Sequence, residues 1–330
     1  MTAGTYMAAE TAEAPEAFRR AALLEPGPAL APWRAAYTIA RGSSDAAAAI
    51  LAYEFMRESG RPTTSLPPSV FSLGEGVALA DSLILLISQS GASDDLVRSA
   101  KGARALGGLV VAITNVPGSP VEQEAQTCLP IGAGPENAVP ATKTVVGAVG
   151  AGTALLGALV PDYAPRARAS AEVVAEAGLR PHPRSSTLRD ALARAQSVYV
   201  IGRDTGFGAA QEIALKLKEC CALHAEAYSA SEVLHGPLQL VTEDELTILL
   251  LDTGHAETRE SLDLAQARFR DNGADVHRVS PADVGAEGLT PAAAAALLLC
   301  LLYPVVRETA LARGHDPDAP RTLSKVTRTT

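Results

Sequence analysis

The sequence predicts an α/β protein built twice over, two consecutive domains each made of a parallel sheet flanked by helices. Three observations carry that reading. Ala, Leu, Val and Gly dominate the 330 residues while aromatics make up only 4%, a composition suited to helices packed on parallel strands rather than to an all-β sandwich. Short, continuous apolar runs such as 82–87 (SLILLI) end in small polar residues and glycine and pass directly into helical stretches, as strands buried on both faces do. The strand-like segments also recur in order: 37–41 is echoed by 199–203, 83–91 by 246–254 and 107–110 by 273–276, at separations of 162, 163 and 166 residues. A nearly constant offset over three segments argues for a duplicated domain.

Taken in order, residues 1–30 form an acidic, helical lead-in that Pro15 is expected to divide and Pro26-Gly27-Pro28 to end; no chemistry is visible in it. Residues 31–160 form the first domain. Its first strand, 37–40, runs into Arg41-Gly42-Ser43-Ser44-Asp45, where Gly42 permits a tight turn and Ser43 or Ser44 can cap the alanine-rich helix that follows to about Arg57. The 82–87 strand ends at Ser88, Gln89, Ser90, Gly91 and Ser93, just ahead of a helix through 97–106. Strands at 108–113 and 128–131, then a loop at 134–143, lead to an apolar helix ending near Leu159. Residues 161–190, rich in proline, read as a helical linker, and 191–330 as the second domain with a polar C-terminal tail.

Two clusters carry chemistry. Ser88, Gln89, Ser90 and Ser93 surround a helix N-terminus, whose free N–H groups and partial positive charge suit phosphate oxygens. An ordinary Ser cap needs only one hydroxyl. In the second domain Glu212, Lys216 and Glu219, at i, i+4 and i+7, fall on one helix face after the strand at 197–201. A solvated helix would carry the same pairs, but this helix begins at the carboxyl end of a strand, where open α/β sheets bind ligands. His224, Glu226 and the turn His235-Gly236-Pro237 add polar groups downstream. The serine cluster and the Glu-Lys-Glu face occur once each, so the first domain is expected to hold an anion and the second to supply acid and base. The tail, 315–327, reads either as disordered or as bringing Lys325 to the anion site.

A formal net charge of −9 leaves no electrostatic footprint for nucleic acid or an anionic membrane. Cys128, Cys220, Cys221 and Cys300 lack C-x-x-C spacing, so they read as reduced core thiols in a cytoplasmic protein rather than a disulfide framework or a zinc site. The first 18 residues lack the apolar segment of a signal peptide. The longest apolar run, 292–306, falls short of the roughly 20 residues that span a bilayer and reads as a buried helix.

The motifs Arg41-Gly42-Ser43-Ser44, Ser88-Gln89-Ser90-Gly91, the 138–143 run AVPATK, the 214–219 run ALKLKE, the 224–227 run HAEA, His235-Gly236-Pro237 and the closing 320–325 run PRTLSK span nearly the whole chain. In this order they resemble the sugar-isomerase (SIS) domain family, in particular the isomerase half of glucosamine-6-phosphate synthase and the SIS-type glucosamine-6-phosphate deaminases. The resemblance implies two tandem SIS domains of doubly wound, flavodoxin-like topology and a phosphosugar substrate with no cofactor or metal. It assigns phosphate contacts to Ser88, Gln89, Ser90 and Ser93, sugar contacts to Ser44 and the backbone near Val139, and proton shuttling to Glu219, with Lys216 and Glu212 on its helix face. His235 is similar to the imidazole that opens the sugar ring and reaches a neighbouring subunit's site, which implies a homodimer. Lys325 is similar to the C-terminal lysine that engages the open-chain carbonyl.

The synthase's glutaminase half has no counterpart in the sequence, and 92–97, 134–136 and the lead-in look closer to the deaminase branch. The resemblance therefore implies deamination of glucosamine 6-phosphate to fructose 6-phosphate and ammonia. Galactosamine 6-phosphate, a fructosamine 6-phosphate, or phosphosugar binding without turnover stay open as alternatives.

Overall fold

A computed structural model describes residues 2–27, 32–242 and 246–325. Pro28 of the predicted breaker and residues 326–327 of the tail lie outside the described residues. The chain opens on α1 (Thr5–Ala22), then forms a first sheet from β1 (Ala35–Ile39), β2 (Thr63–Ser65), β3 (Ser82–Ser88), β4 (Leu109–Thr114) and β5 (Thr127–Pro130). The intervening helices are α2 (Ser43–Ser59), α3 (Ser69–Ser72), α4 (Asp94–Ala105) and α5 (Pro120–Glu124), and α6 (Lys143–Leu159) closes the unit. Helices α7 (Ala164–Ala177) and α8 (Ser185–Arg194) lead to a second sheet of β6 (Ser197–Gly202), β7 (His224–Ser229), β8 (Leu246–Leu251) and β9 (Asp275–Val279). Its helices are α9 (Thr205–Cys221), α10 (Ala256–Asp271) and α11 (Pro291–Ala312).

Both sheets are parallel throughout, ordered β2-β1-β3-β4-β5 and β7-β6-β8-β9. The duplicated plan is therefore present in three dimensions. β1 and β6 hold equivalent places, as do β3 and β8, and the strand order reverses between β1 and β3 in the first sheet and between β6 and β8 in the second. Such reversal points open a crevice at the carboxyl ends of the strands. All seven residues of β3 and all six of β8 are buried, as the unbroken apolar runs require.

The two domains share one interior. The main apolar cluster takes residues from α1, α2 and α6 of the first half and from α9 and α11 of the second, while smaller clusters lie on the far side of each sheet. Helices α2 and α9 cross closely because Gly208 lacks a side chain. A Cβ there would stand 2.7 Å from the Ile50 backbone nitrogen and 3.0 Å from the Ala46 carbonyl oxygen, distances at which one backbone would have to move. This contact sets how far the second domain's helix stands from the first domain's strand ends.

Several expectations need correction. Helix α1 is continuous through Pro15 rather than divided, and α11 runs through Pro304. Pro15 is buried, and its ring packs beside Gly178, so tertiary packing offsets the roughly 3 kcal/mol that an interior proline costs a helix. At 22 residues α11 is long and apolar enough to cross a membrane by length and composition, contrary to the reading of its apolar run as too short. However, 78% of its most apolar window is buried inside the protein, against α9, α8 and α1 among others. Residues 161–190, read as a helical linker, hold α7 and the start of α8, packed on α1 and α11. Residues 224–229, read only as polar groups, form the edge strand β7. Cys128 is exposed rather than in the core; the other three cysteines are buried and free.

Glu54 on α2 lies inside this interior, accepting from the Tyr163 hydroxyl (2.8 Å) and the Ala292 backbone N–H (3.2 Å), so it ties α2 to the starts of α7 and α11. Burial pushes its carboxyl up to about 7. Because the folded state holds this proton more tightly than the unfolded chain, Glu54 costs stability as pH rises from its ordinary value through about 7, to a total of roughly 3 kcal/mol. Calorimetry of Glu54→Gln should therefore show its Tm gaining on the unsubstituted protein between pH 5 and pH 8. A gap that stays constant across that range would contradict the assignment.

Candidate active site

The carboxyl ends of β1 and β3 and the first turns of α2 and α4 form one wall of a cleft of about 630 Å³. Ser44, Ser88, Gln89, Ser90 and Ser93 line it, Val139 and Ala141 close it from the loop before α6, and Glu219 and Lys325 reach it from the second domain and the tail. Groups separated by more than 200 residues thus face one cavity. Its size falls within the roughly 300–1,000 Å³ of small-molecule sites.

The hydroxyls of this wall do not cap the helices that follow them. Ser93 is the N-cap of α4, yet its side chain makes no capping hydrogen bond, and α2 likewise starts without a side-chain cap, from Gly42 at φ 54°. The expected capping by Ser43 or Ser44 therefore does not occur. Ser88 Oγ accepts from the Gly91 N–H (3.0 Å) and Ser90 Oγ from the Ala92 N–H (3.3 Å), which fixes the loop. Gly91 sits at φ +61°, with Ser119 Oγ 2.2 Å from where a Cβ would be, so only glycine fits.

On α9, Glu212 and Lys216 are completely buried, and Glu219 is partly open to the cleft. Lys216 Nζ stands 3.5 Å from Glu212, pairs closely with Glu219, and donates to Ser43 Oγ in the other domain (2.9 Å). The Tyr303 hydroxyl on α11 donates to Glu212 (3.0 Å), whose second oxygen is buried without a partner. Burial pushes the Glu212 carboxyl up to about 7, against the pull of Lys216. Burial also disfavours the Lys216 charge, but the two carboxylates outweigh it and hold the amine above its ordinary value. Among the three, only Glu219 lines the cleft; Glu212 and Lys216 stand behind it.

The tail is held in place. Asp318 accepts from the Tyr6 and Met7 backbone N–H groups at the start of α1 (2.9 and 2.7 Å), Asp316 from Gly4 N–H (3.0 Å), and the Val139 N–H donates to the Asp318 carbonyl (2.9 Å). Lys325 Nζ donates to the Ala138 carbonyl (2.7 Å) and to the buried Glu136 carboxylate (3.2 Å), which also accepts from Thr142 and Thr144. Glu10 of α1 braces the same loop through the N–H groups of Asn137 and Ala138. The lead-in, read as chemically silent, thus positions both the loop and the tail.

A profile described as "SIS domain" matches residues 29–158 and 191–296. The chain belongs to the SIS domain family. Among curated relatives it is 32% identical over 344 residues to a glutamine–fructose-6-phosphate aminotransferase (isomerizing) of Pyrobaculum aerophilum, covering 97% of this chain and 57% of the relative. A protein of the same description from Symbiobacterium thermophilum is 34% identical over 314 residues, covering 87% and 50%. The chain spans about half the length of the curated relatives it matches. Among solved structures, a protein of Silicibacter pomeroyi assigned provisionally as a phosphosugar isomerase superposes with TM-score 0.82 at 33% identity, over 95% of this chain and 100% of that one. Glucosamine-6-phosphate deaminase of Thermotoga maritima shares the fold, with TM-score 0.75 at 18% identity over 98% and 100%.

The two SIS domains bring together Ser44, Ser88, Gln89, Ser90, Ser93, Val139, Glu219 and Lys325. They do not bring His235 to them within one chain. It ends an exposed 3-10 turn, Glu232–His235, outside the cleft lining. Two groups escaped the sequence reading: Arg41, which lines the cleft and is visible only as a member of a motif, and Glu136, buried behind Lys325, whose burial has no local signal.

Asp318→Ala should release the tail by removing its two hydrogen bonds to the start of α1, at a cost of about 1–2 kcal/mol. Trypsin should then cut after Arg321 several-fold faster while the Tm falls by only a few degrees. Unchanged cleavage would show that the tail is held by other contacts.

Proposed function

We propose that this SIS chain converts glucosamine 6-phosphate and water to fructose 6-phosphate and ammonia. The observation that carries the proposal is the single cleft in which a hydroxyl-lined helix N-terminus, the Glu219 carboxylate and the Lys325 amine face one another. The segments read as deaminase-like support the choice of reaction, because Ser93 lines the cleft, Asp95 pairs with Arg41 at its wall and Glu136 holds Lys325. With the phosphate on the first domain, the far end of an open-chain hexose extends toward Glu219. Glu219 removes the C2 proton from the 2-amino aldose, giving an enolamine, and returns a proton to C1. The resulting C2 imine is hydrolysed by water, releasing ammonia and leaving the ketone. Lys216 stabilises the negative charge that develops at the C1 oxygen, and Lys325 engages the open-chain carbonyl.

Glu219→Gln should lower ammonia release from glucosamine 6-phosphate by about 10²- to 10⁴-fold, the usual contribution of a positioned base, with little change in Tm. Release near the unsubstituted rate from a folded variant would refute the role. The same assay run with galactosamine 6-phosphate and fructosamine 6-phosphate reads the substrate preference directly.

We further propose that ring opening uses His235 of a second copy in a homodimer, which fits its exposure and its absence from the cleft of its own chain. Glu219→Gln and His235→Ala should each be inactive alone. Mixed dimers made by co-refolding should recover about a quarter of full activity, since half the dimers are mixed and each has one intact site. No recovery would place the ring-opening group within one chain or on another residue.

A further inference from the structure

The hydroxyl cradle lacks a lysine, but a guanidinium stands at its edge. Arg41 follows β1 and lines the cleft beside Ser88, Ser90 and Ser93. Its Nε pairs with Oδ2 of Asp95, in the first turn of α4, whose side chain is fully buried and whose other oxygen is sealed without a partner. Among the described residues, Arg41 Nη1 and Nη2 make no hydrogen bond. An arginine pinned through Nε presents both terminal nitrogens in a fixed plane, the arrangement that grips two oxygens of one phosphate.

The second domain supplies an internal comparison. Arg203, at the repeat-equivalent position after β6, donates from one terminal nitrogen to Ser229 (2.9 Å) and Ser231 (2.6 Å). There the arginine is committed to the protein's own serines. In the first domain Arg41 lines the cleft together with Ser88, Ser90 and Ser93, and its terminal nitrogens are not committed to those serines.

We infer that Arg41 is a phosphate-binding residue that makes the cleft selective for phosphorylated sugars, and that Asp95 is the positioning residue that aims it. This rests on the phosphosugar reading above but not on deamination. Asp95 also explains why the arginine is needed there: without it, a buried carboxylate would face the bound phosphate across the first turn of α4 and repel it.

The test measures fructose 6-phosphate binding by titration calorimetry at low and high salt, in the unsubstituted protein, Arg41→Lys, and the double variant Arg41→Ala/Asp95→Asn. The double variant removes both charges, so no buried carboxylate is left unpaired to unfold the chain, and its Tm verifies this. The expected result is a Kd raised about tenfold or more in the double variant with a flattened salt dependence, and an intermediate loss in Arg41→Lys, which keeps the charge but not the fork. A smaller rise in the folded double variant, or one with unchanged salt dependence, overturns the inference. Absence of binding by the unsubstituted protein overturns the phosphosugar reading with it. Arginine-dependent binding without ammonia release from glucosamine 6-phosphate leaves this inference standing and removes only the deaminase reading.

Discussion

The arrangement depends on a lysine ammonium that has been taken out of water. A fully buried Lys216 carries a desolvation cost of several kcal/mol, and isolated it would give up its proton or unfold the site. Glu212 and Glu219 hold the charge, and Ser43 of the other domain takes the remaining donor. Because that hydroxyl belongs to the first turn of α2, the ion cluster is also a tether between the domains. It acts at the crossing that Gly208 makes close, so charge and packing fix the same distance. Tyr303 extends the tether to α11 by orienting Glu212. Any ligand that binds the first domain's hydroxyls therefore meets Glu219 at a separation the fold has already set.

Duplication gave both halves a crevice at the point where strand order reverses, and the two crevices have diverged. In the second domain the corresponding ground is taken up by Arg203 with Ser229 and Ser231, and by Asp252 with Arg278. In the first, α2 and α4 start without side-chain caps, Ser88 and Ser90 accept from their own loop, and Ser43 accepts from Lys216. The chain termini complete this asymmetry: α1 and the tail bind each other through Asp316 and Asp318 and deliver Lys325 to the open crevice alone. In the proposed reaction the first domain is the floor of the site and the second its reactive wall.

Those parts of the molecule that follow from local chemistry were legible in the sequence. Unbroken apolar runs gave β3 and β8, the repeat offset gave the paired sheets, and three acidic and basic residues at helical spacing gave the Lys216 cluster. Properties set by distant partners were hidden. Pro15 divides an isolated helix, but in the fold α1 is held by α6 and α7, and contacts with segments more than 120 residues away outweigh the local penalty. Glu10, Glu54 and Glu136 look like ordinary surface acids along the chain, and only the folded structure shows them buried and satisfied by backbone N–H groups. The strand β7 was missed because His224 and Glu226 interrupt its apolar pattern, as is usual at the edge of a sheet. Spacing put Glu212, Lys216 and Glu219 on one face correctly, but it carried no information about which of the three would meet the cleft.

That last distinction constrains the chemistry. Lys216 is held above its ordinary value by two carboxylates, so at neutral pH it keeps its proton and cannot act as the base. Glu212, pushed up to about 7 by burial, can exchange a proton near neutrality but has no access to the cavity. Glu219 alone combines access with a partner that stays charged. In the proposed reaction this makes Glu219 the group that moves protons and the buried pair behind it the electrostatic ballast, a division that follows from burial rather than from the order of the residues along α9.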